Sequence, residues 1–408
     1  MRARAPVRVV AAAVAGFLGG AVATLAVQSR GLQVPAGGPR GRVTEPVTRP
    51  QPPTTFLAWV PNGLPPGFAA DVRNLADIDR VAAVSEDNVW MTRSWATDGT
   101  PVDRPRAPFM IPVDAAAVEP RAFAAFLPPS DRALVADLAR GAGVLGATSA
   151  ELRGLGPGSV MRFDGGTQVP IAAVLPDDLV GAAELLVSDR TGTRIGIRQQ
   201  RYLLVQPRPG HGLSSSRSLK RRLTQLLPHD LTGNARQVQV RAPGETPFFR
   251  AGDAVMPPAL IKTVFGEFAA RPDPGRPGYL QLDPRWIRTH IVSTTLPVLG
   301  TVTCNRALIP QLRGAMEELQ RRGLGSLVHS YDGCFAPRFI NRIPTAMISH
   351  HAWGAAIDLN AATNPFGAPP DQDPRLVHVL ERWGFIWGGS FIVPDGNHFE
   401  YRRPAPNT

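Results

Sequence analysis

Ser349-His350-His351-Ala352-Trp353-Gly354-Ala355-Ala356-Ile357-Asp358 and, further along, Asp395-Gly396-Asn397-His398-Phe399-Glu400 bring three histidines and three carboxylates into the last part of the chain. His351, Asp358 and His398 are candidate metal ligands of N/N/O type. Asp395 stands three residues before the last of them. A catalytic metal centre needs three protein ligands, an open fourth position and a base close by. Zinc suits this set and lowers the pKa of a water toward about 7. A single histidine is more often a satisfied core residue; two that arrive with Asp358 and Asp395 favour metal binding.

The surrounding pattern predicts how these residues are presented. Gly354 lets the chain turn after His351, and residues 355–359 read as a short buried strand carrying Asp358. Residues 375–383 read as a helix. Residues 385–390 and 398–401 read as strand ends joined by the turn Pro394-Asp395-Gly396. In an extended segment Asp395 and His398 would lie on different faces; that turn can bring both toward one metal. Glu400 shares a strand face with His398, either to orient it or to pair with a structural arginine. Upstream, Leu312, Met316 and Leu319 at helical spacing predict a helix over 308–322 that ends at Gly323. Residues 327–331 read as a strand, 332–334 as a turn and 340–349 as a loop. The result is a small antiparallel sheet with flanking helices.

Ser349 to Asp358 fits Ser-x-His-x-x-Gly-x-Ala-x-Asp, and Asp395 to Glu400 fits Asp-x-x-His-Phe-Glu. Together they resemble the D-alanyl-D-alanine carboxypeptidase and L-alanyl-D-glutamate endopeptidase family, the VanY-like and phage-endolysin zinc peptidases. The likeness runs through Phe265-Gly266-Glu267, Leu296-Pro297-Val298-Leu299-Gly300, Ser330-Tyr331-Asp332-Gly333-Cys334 and Gly384-Phe385-Ile386-Trp387-Gly388-Gly389, and so covers residues 257–403. The resemblance implies one Zn2+ per chain, held by His351, Asp358 and His398. It implies Asp395 as the general base and Arg338 as the group that meets the developing oxyanion. It also implies peptidoglycan stem peptides as substrate, and the Tyr-Asp-Gly-Cys and Trp-Gly-Gly stretches look more like the endopeptidases. Asn397 and Phe391 depart from the commonest endolysin pattern, which has Met and Trp there; both departures bear on substrate fit.

Ser349, Glu400 and Trp387 are further candidates to support a ligand or meet substrate. Trp353 and Trp383 read as core. His350 is expected to point away from the metal, and His290, His329 and His378 carry no motif. The two cysteines, Cys304 and Cys334, lack Cys-x-x-Cys spacing. Outside the cytosol they would form one structural disulfide; otherwise they are buried thiols.

At 408 residues the chain exceeds one ordinary core. Its 42 prolines and 40 glycines point to linkers and loops. The net charge of +11 favours polyanions such as anionic wall polymers or lipid head groups. Four tyrosines and no basic–aromatic interleaving argue against nucleic acid. Arg2, Arg4 and Arg8 precede an uncharged run, 9–27, roughly 28 Å long as a helix. It reads as a transmembrane signal anchor with residues 1–8 in the cytoplasm and the bulk of the chain outside, single-pass in the cell membrane. Ala21-Val22-Ala23 keeps cleavage and secretion open. Residues 28–56 read as a Pro-rich linker.

Residues 57–245 read as a separate α+β domain. Residues 81–84 and 87–91 look like short strands. Residues 130–142 look like a helix with Ser130 as its cap and Gly143 past its end, and 158–174 like a hairpin turning at Asp164-Gly165-Gly166. The stretch from Thr148 to Asp177 loosely resembles the extracellular domain of ABC-type permeases of the MacB/FtsX kind. Asp177-Asp178 reads as a solvated turn. Arg190, Arg194, Arg198, Arg201 and Arg208 lead into a capped basic helix at 214–223, solvated or gripping an anionic polymer. Residues 241–256 read as a connection. No catalytic constellation appears in 57–245, which suits a partner-binding module in an envelope complex. The expectation is α+β throughout: anchor, linker, this domain, then a zinc-peptidase domain at 257–403. Its rival is a non-catalytic or partner-activated wall-binding or scaffold protein on a peptidase fold. The non-catalytic form predicts loss of a ligand or the base, and none is lost.

Overall fold

Alternating valine, alanine, leucine and isoleucine build a nine-stranded sheet: β1 (Phe56–Trp59), β2 (Ile78–Trp95), β3 (Ile111–Val118), β4 (Gly143–Gly146), β5 (Val160–Phe163), β6 (Gln168–Leu175), β7 (Leu185–Ser188), β8 (Gln200–Pro207) and β9 (Gln239–Arg241). Its order is β3-β7-β4-β6-β5-β2-β8-β1-β9, and a further β2–β3 pairing closes the first six strands into a ring. Val89, Met91, Val113, Phe163, Ile171 and Val187 fill one face. Val84, Ala116, Val118, Val144 and Leu204 fill the other, under short helices. The computed structural model describes residues 55–405 except 62, 243, 244, 246–249 and 254. The expected tail, anchor and nearly all of the linker lie outside the described residues; Phe56, placed in the linker, opens β1. Among the described residues no helix is long and apolar enough to cross a membrane.

Three expectations change here. The two short strands at 81–84 and 87–91 are one 18-residue strand, β2. β3 pairs across the gap, setting Ser85 opposite Ala117 and Glu86 opposite Ala116, and Asp87 pairs with Arg201 at 3.2 Å. The helix at 130–142 is shorter, Leu134–Ala139, after a 3-10 turn at Pro129–Asp131. Gly141, at φ 99°, takes the chain out of it, and Gly143 already belongs to β4. Asp177 is half-buried and structural. It accepts from the Thr148 amide at 3.1 Å and from the Thr148 hydroxyl, at the start of the helix Ala147–Arg153. The 164–166 hairpin forms as expected.

The later part of the chain adds β10 (Ala270–Pro272) with β11 (Leu280–Leu282), and β12 (Ile291–Leu296) with β13 (Gly300–Asn305). It ends in a four-stranded antiparallel sheet of β14 (Tyr331–Gly333), β15 (Ala356–Leu359), β16 (Phe385–Trp387) and β17 (His398–Tyr401), in the order β14-β15-β17-β16. The helices Ile309–Arg321 and Pro374–Arg382 bury Leu312, Met316, Leu319, Leu376 and Leu380 in the core beside this sheet. Each such side chain contributes about 1.5–3 kcal/mol by leaving water. The expected strand at 327–331 is absent. Asn360 Oδ1 accepts from the amides of His329 (2.7 Å) and Ser330 (3.1 Å), so a side chain takes bonds a ladder would use, and pairing starts only at Tyr331.

The nine-stranded sheet and the later part form one compact unit, Pro52–Thr408. Met110 and Ala270 exchange backbone hydrogen bonds of 2.8 and 2.7 Å across them. Beside this link lies a buried charge cluster in which Lys262 and Arg153 share Glu184 and Glu267.

Candidate metal centre

Ser349 opens a 3-10 turn over His350–Trp353, its hydroxyl accepting from the His351 amide at 3.4 Å. Gly354 ends the turn at φ 66°, where a Cβ would stand 2.6 Å from the Asn305 nitrogen. The chain then enters β15 and carries Asp358 to a position directly opposite His398 on β17. Cross-strand partners share a face, so turn and sheet converge. His351 Nε2 is 3.2 Å from Asp358 Oδ1 and 3.2 Å from His398 Nδ1, and His398 Nδ1 is 3.1 Å from Asp358 Oδ1.

The outer nitrogens fix what these three atoms are. His351 Nδ1 lies 2.7 Å from the Cys334 carbonyl, which can only accept, so Nδ1 carries the hydrogen and Nε2 is bare in the neutral ring. His398 Nε2 donates to Glu400 Oε2 at 3.1 Å, leaving Nδ1 bare. Two lone pairs and a carboxylate oxygen thus face one another with no hydrogen to share. That arrangement is costly unless a cation or a proton stands between them. A tetrahedral ion with bonds of about 2.0–2.1 Å spaces its ligand atoms about 3.3 Å apart, and the observed triangle fits.

A proton is the metal's competitor. Burial lowers the His398 pKa, but Asp358 and Glu400 more than offset it and push it up to about 10. Burial would raise Asp358 and Glu400. His351 and His398 outweigh it for Asp358, as do His350 and His398 for Glu400, so both are held well below the usual carboxylate range.

Asp395 lies in the turn before β17. Its amide donates to Gly388 at 2.8 Å, its carbonyl accepts from the His398 amide at 3.1 Å, and its Oδ1 accepts from Asn397 Nδ2 at 3.0 Å. Burial pushes its carboxyl up, His398 and Arg338 pull it down, and Asp358 pushes it further up. Trp387 donates to the Gly396 carbonyl at 2.8 Å and stacks on Phe399, so it braces this turn. Arg338 is half-buried. Burial lowers its pKa, while Asp358 and Asp395 support its charge. Its carbonyl accepts from the Ser349 amide at 3.0 Å, which ties it to the turn of His351. Cys304 and Cys334 form a disulfide with Cα atoms 5.4 Å apart. It joins β13 to the residue whose carbonyl holds His351.

His350 does point away from the metal triangle, but toward a partner that the sequence reading missed. It is buried, and its Nδ1 donates to Glu400 Oε2 at 2.8 Å. Adjacent histidines in a 3-10 turn leave on different sides, and a buried Glu400 needs a second donor; those were the available signals. His329 is exposed and outside the cluster.

Residues 343–401 match the family model described as D-alanyl-D-alanine carboxypeptidase. That segment contains all three metal-site residues, Asp395 and Glu400, and lacks Arg338. A peptidase domain of this kind is therefore supported there. No curated protein matches the chain. Among solved structures, the periplasmic region of MacB from Actinobacillus actinomycetemcomitans is similar at 13% identity and a TM-score of 0.31, over 46% of this chain and 88% of that one. The extracellular domain of the noncanonic ABC-type transporter YknZ from Gram-positive bacteria is similar at 14% identity and a TM-score of 0.27, over 46% and 100%. A domain of a permease-like protein from Porphyromonas gingivalis gives 15% and 0.27, over 46% and 90%. TM-scores of this size decide nothing about fold or function here.

Proposed function

We propose that the chain is an extracytoplasmic zinc peptidase that hydrolyses peptidoglycan stem peptides, as an endopeptidase in preference to a D,D-carboxypeptidase. The observation that carries this reading is the triangle of His351 Nε2, His398 Nδ1 and Asp358 Oδ1, each 3.1–3.2 Å from the next, inside the segment matched by the family model. The N/N/O set suits zinc. When bound, the metal supplies a Lewis acid that polarises the scissile carbonyl and makes water acidic.

The chain's own residues do the rest. Asp395 takes the proton of the attacking water on its carboxylate and returns it to the leaving amine. Arg338 pairs with negative charge as it grows on the carbonyl oxygen. Glu400 holds His398 in the ligating tautomer, and the Cys334 carbonyl does the same for His351. The Cys304–Cys334 disulfide supports a location outside the cytosol, and the uncharged run 9–27 supports a membrane anchor.

The test is hydrolysis of purified muropeptides, with products identified by mass. It is run with zinc, with chelator and with Asp395→Ala. Cleavage that requires metal and Asp395 is expected, and product masses separate endopeptidase from carboxypeptidase. Metal-loaded, folded protein that cuts nothing would sink the reading.

A second reading, a partner-activated enzyme, is favoured by contacts to the segments that lead into Ser349 and into Asp395. Asn88 Nδ2 and Arg201 Nη2 reach the Ala346 and Thr345 carbonyls at 3.5 and 3.3 Å, and Asp253 Oδ1 accepts from the Ile392 amide at 2.8 Å. Under it the loaded full chain is silent alone, and Asn88→Ala or Arg201→Ala releases activity.

A further inference from the structure

Beside the metal centre three arginines gather around one phenol. Arg342 Nε donates to the Tyr279 hydroxyl at 2.7 Å, and the Arg276 guanidinium lies over the Tyr279 ring, 3.9 Å from its centroid. Tyr279 bridges to Arg338 in an antiparallel backbone pair. The Arg338 carbonyl in turn accepts from the amide of Ser349, which opens the turn of His351, at 3.0 Å. The cluster is therefore continuous with the site. Among the described residues none of Arg276, Arg338 and Arg342 forms an ion pair, so no carboxylate occupies the forks of Arg276 and Arg342.

The backbone is built to hold them there. Asn341 (φ 52°) and Arg342 (φ 59°) are consecutive non-glycine residues in the left-handed region, a conformation such residues rarely keep and one concentrated at ligand clamps. The turn is seated on Gly278 (φ 84°), where a Cβ would collide with the Arg342 carbonyl. Arg276 and Arg342 are exposed, as are Ile340 and Ile343 on either side of the turn. A guanidinium fork matches a carboxylate with two parallel hydrogen bonds.

We propose that Arg276 and Arg342, next to Arg338, form a carboxylate-binding subsite at the rim of the metal centre that takes a free carboxylate of the peptide substrate. The subsite deepens the peptidase reading and rests on it. The carboxylate is either the C-terminal one of the peptide or the free branch carboxylate of an acidic residue near the scissile bond.

The test uses the full chain and three peptides of one sequence: free acid, amidated at the C-terminus, and amidated at the branch. Amidating the recognised carboxylate is expected to lower kcat/KM by about tenfold or more, and the position that matters names the source. In Arg342→Gln and in Arg276→Gln the acid-over-amide ratio falls toward one, through a raised KM for the acid. Equal cleavage of all three peptides by the unaltered chain overturns the proposal, as does a loss in both variants that is the same for acid and amide. Calorimetric binding of the same peptides to Asp395→Ala separates the two readings. Acid preferred over amide, without turnover in the unaltered chain or in Asn88→Ala and Arg201→Ala, keeps the subsite and removes the peptidase. Equal binding of acid and amide removes the subsite alone.

Discussion

Glu400 Oε2 accepts from two rings, His398 Nε2 at 3.1 Å and His350 Nδ1 at 2.8 Å. One buried oxygen therefore fixes the tautomer of His398 and is itself fixed by a residue outside the metal triangle. Without Glu400 the His398 ring can turn or move its hydrogen to the ligating nitrogen. In Glu400→Ala the metal affinity is expected to fall by about 10–100-fold, with a smaller fall in Glu400→Gln, which can still accept one bond. Competition against a chelator reads both. Unchanged affinity in the alanine variant would reduce the carboxylate to a space filler.

Asp395 is outside the triangle, so its loss should separate chemistry from metal binding. Asp395→Ala is expected to slow hydrolysis by about 10²–10⁴-fold while the metal stays bound as tightly. The base acts only when ionised, and burial raises its pKa. Activity should therefore fall as pH drops through a value above the ordinary carboxylate range. A pH–rate profile whose acid limb sits at or below that range would assign the base elsewhere.

The site was more legible than its support. His351, Asp358 and His398 stand in local patterns, a Gly-ended turn and two short strands, and local patterns survive in one dimension. The cross-strand register that sets Asp358 opposite His398 is in neither pattern and comes only from the pairing of β15 with β17. What supports them does not survive either. His350 needs Glu400, fifty positions away. Asn360 spends its side chain on the amides of 329 and 330, and so cancels a strand that the apolar run at 327–331 implies. Asp177, bonded to Thr148, looks like any surface acid until both are in place. In β2 Ser85 and Glu86 read as an interruption between two strands, because β3, which pairs across both, is not visible locally.

Cys334 has two duties, in a disulfide to Cys304 thirty residues earlier and, through its carbonyl, at His351 Nδ1. Opening a loop of that length is expected to cost about 3–4 kcal/mol of stability. It should also loosen the carbonyl that sets His351. Cys304→Ala with Cys334→Ala should lower the Tm and weaken metal binding together. A lowered Tm with unchanged metal affinity would confine the bridge to stability.

Glu86 is buried in β2, with Oε1 lacking a hydrogen bond among the described residues. Arg250 lies 3.6 Å away but commits its fork to Asp114, at 2.6 and 3.0 Å. Burial pushes the Glu86 carboxyl up from 4.5 to about 7, with Arg250 pulling down and Asp114 pushing up. The folded state thus prefers Glu86 protonated. Its contribution is fully present below the unfolded value and is lost as pH rises through about 7. The loss is on the order of 1–3 kcal/mol. Denaturant unfolding at pH near 5 and near 8 should show Glu86→Gln losing less stability over that interval than the unaltered chain. Parallel pH dependence in the two would mean that Glu86 titrates as it does in water.

Glu184, fully buried, holds Lys262 with both oxygens at 2.9 and 2.8 Å and Arg153 at 2.8 Å. It belongs to the sheet-bearing part of the chain, whereas Lys262 and Glu267 belong to the part that carries the metal residues. Glu184→Gln leaves two buried cations sharing Glu267 alone. Breaking a buried pair from one side costs about 3–5 kcal/mol, because the charge left behind keeps its desolvation penalty. Since that charge sits where the two parts meet, both should feel it. Denaturation followed by metal release and by amide-hydrogen exchange of the nine-stranded sheet is expected to give one transition in the unaltered chain and one, at lower denaturant, in Glu184→Gln. A variant whose metal release is unmoved while exchange in the sheet shifts would show that the centre folds without the nine-stranded sheet. That result would also show that the contacts of Asn88 and Arg201 with residues 345 and 346 are not needed for the centre to keep its metal.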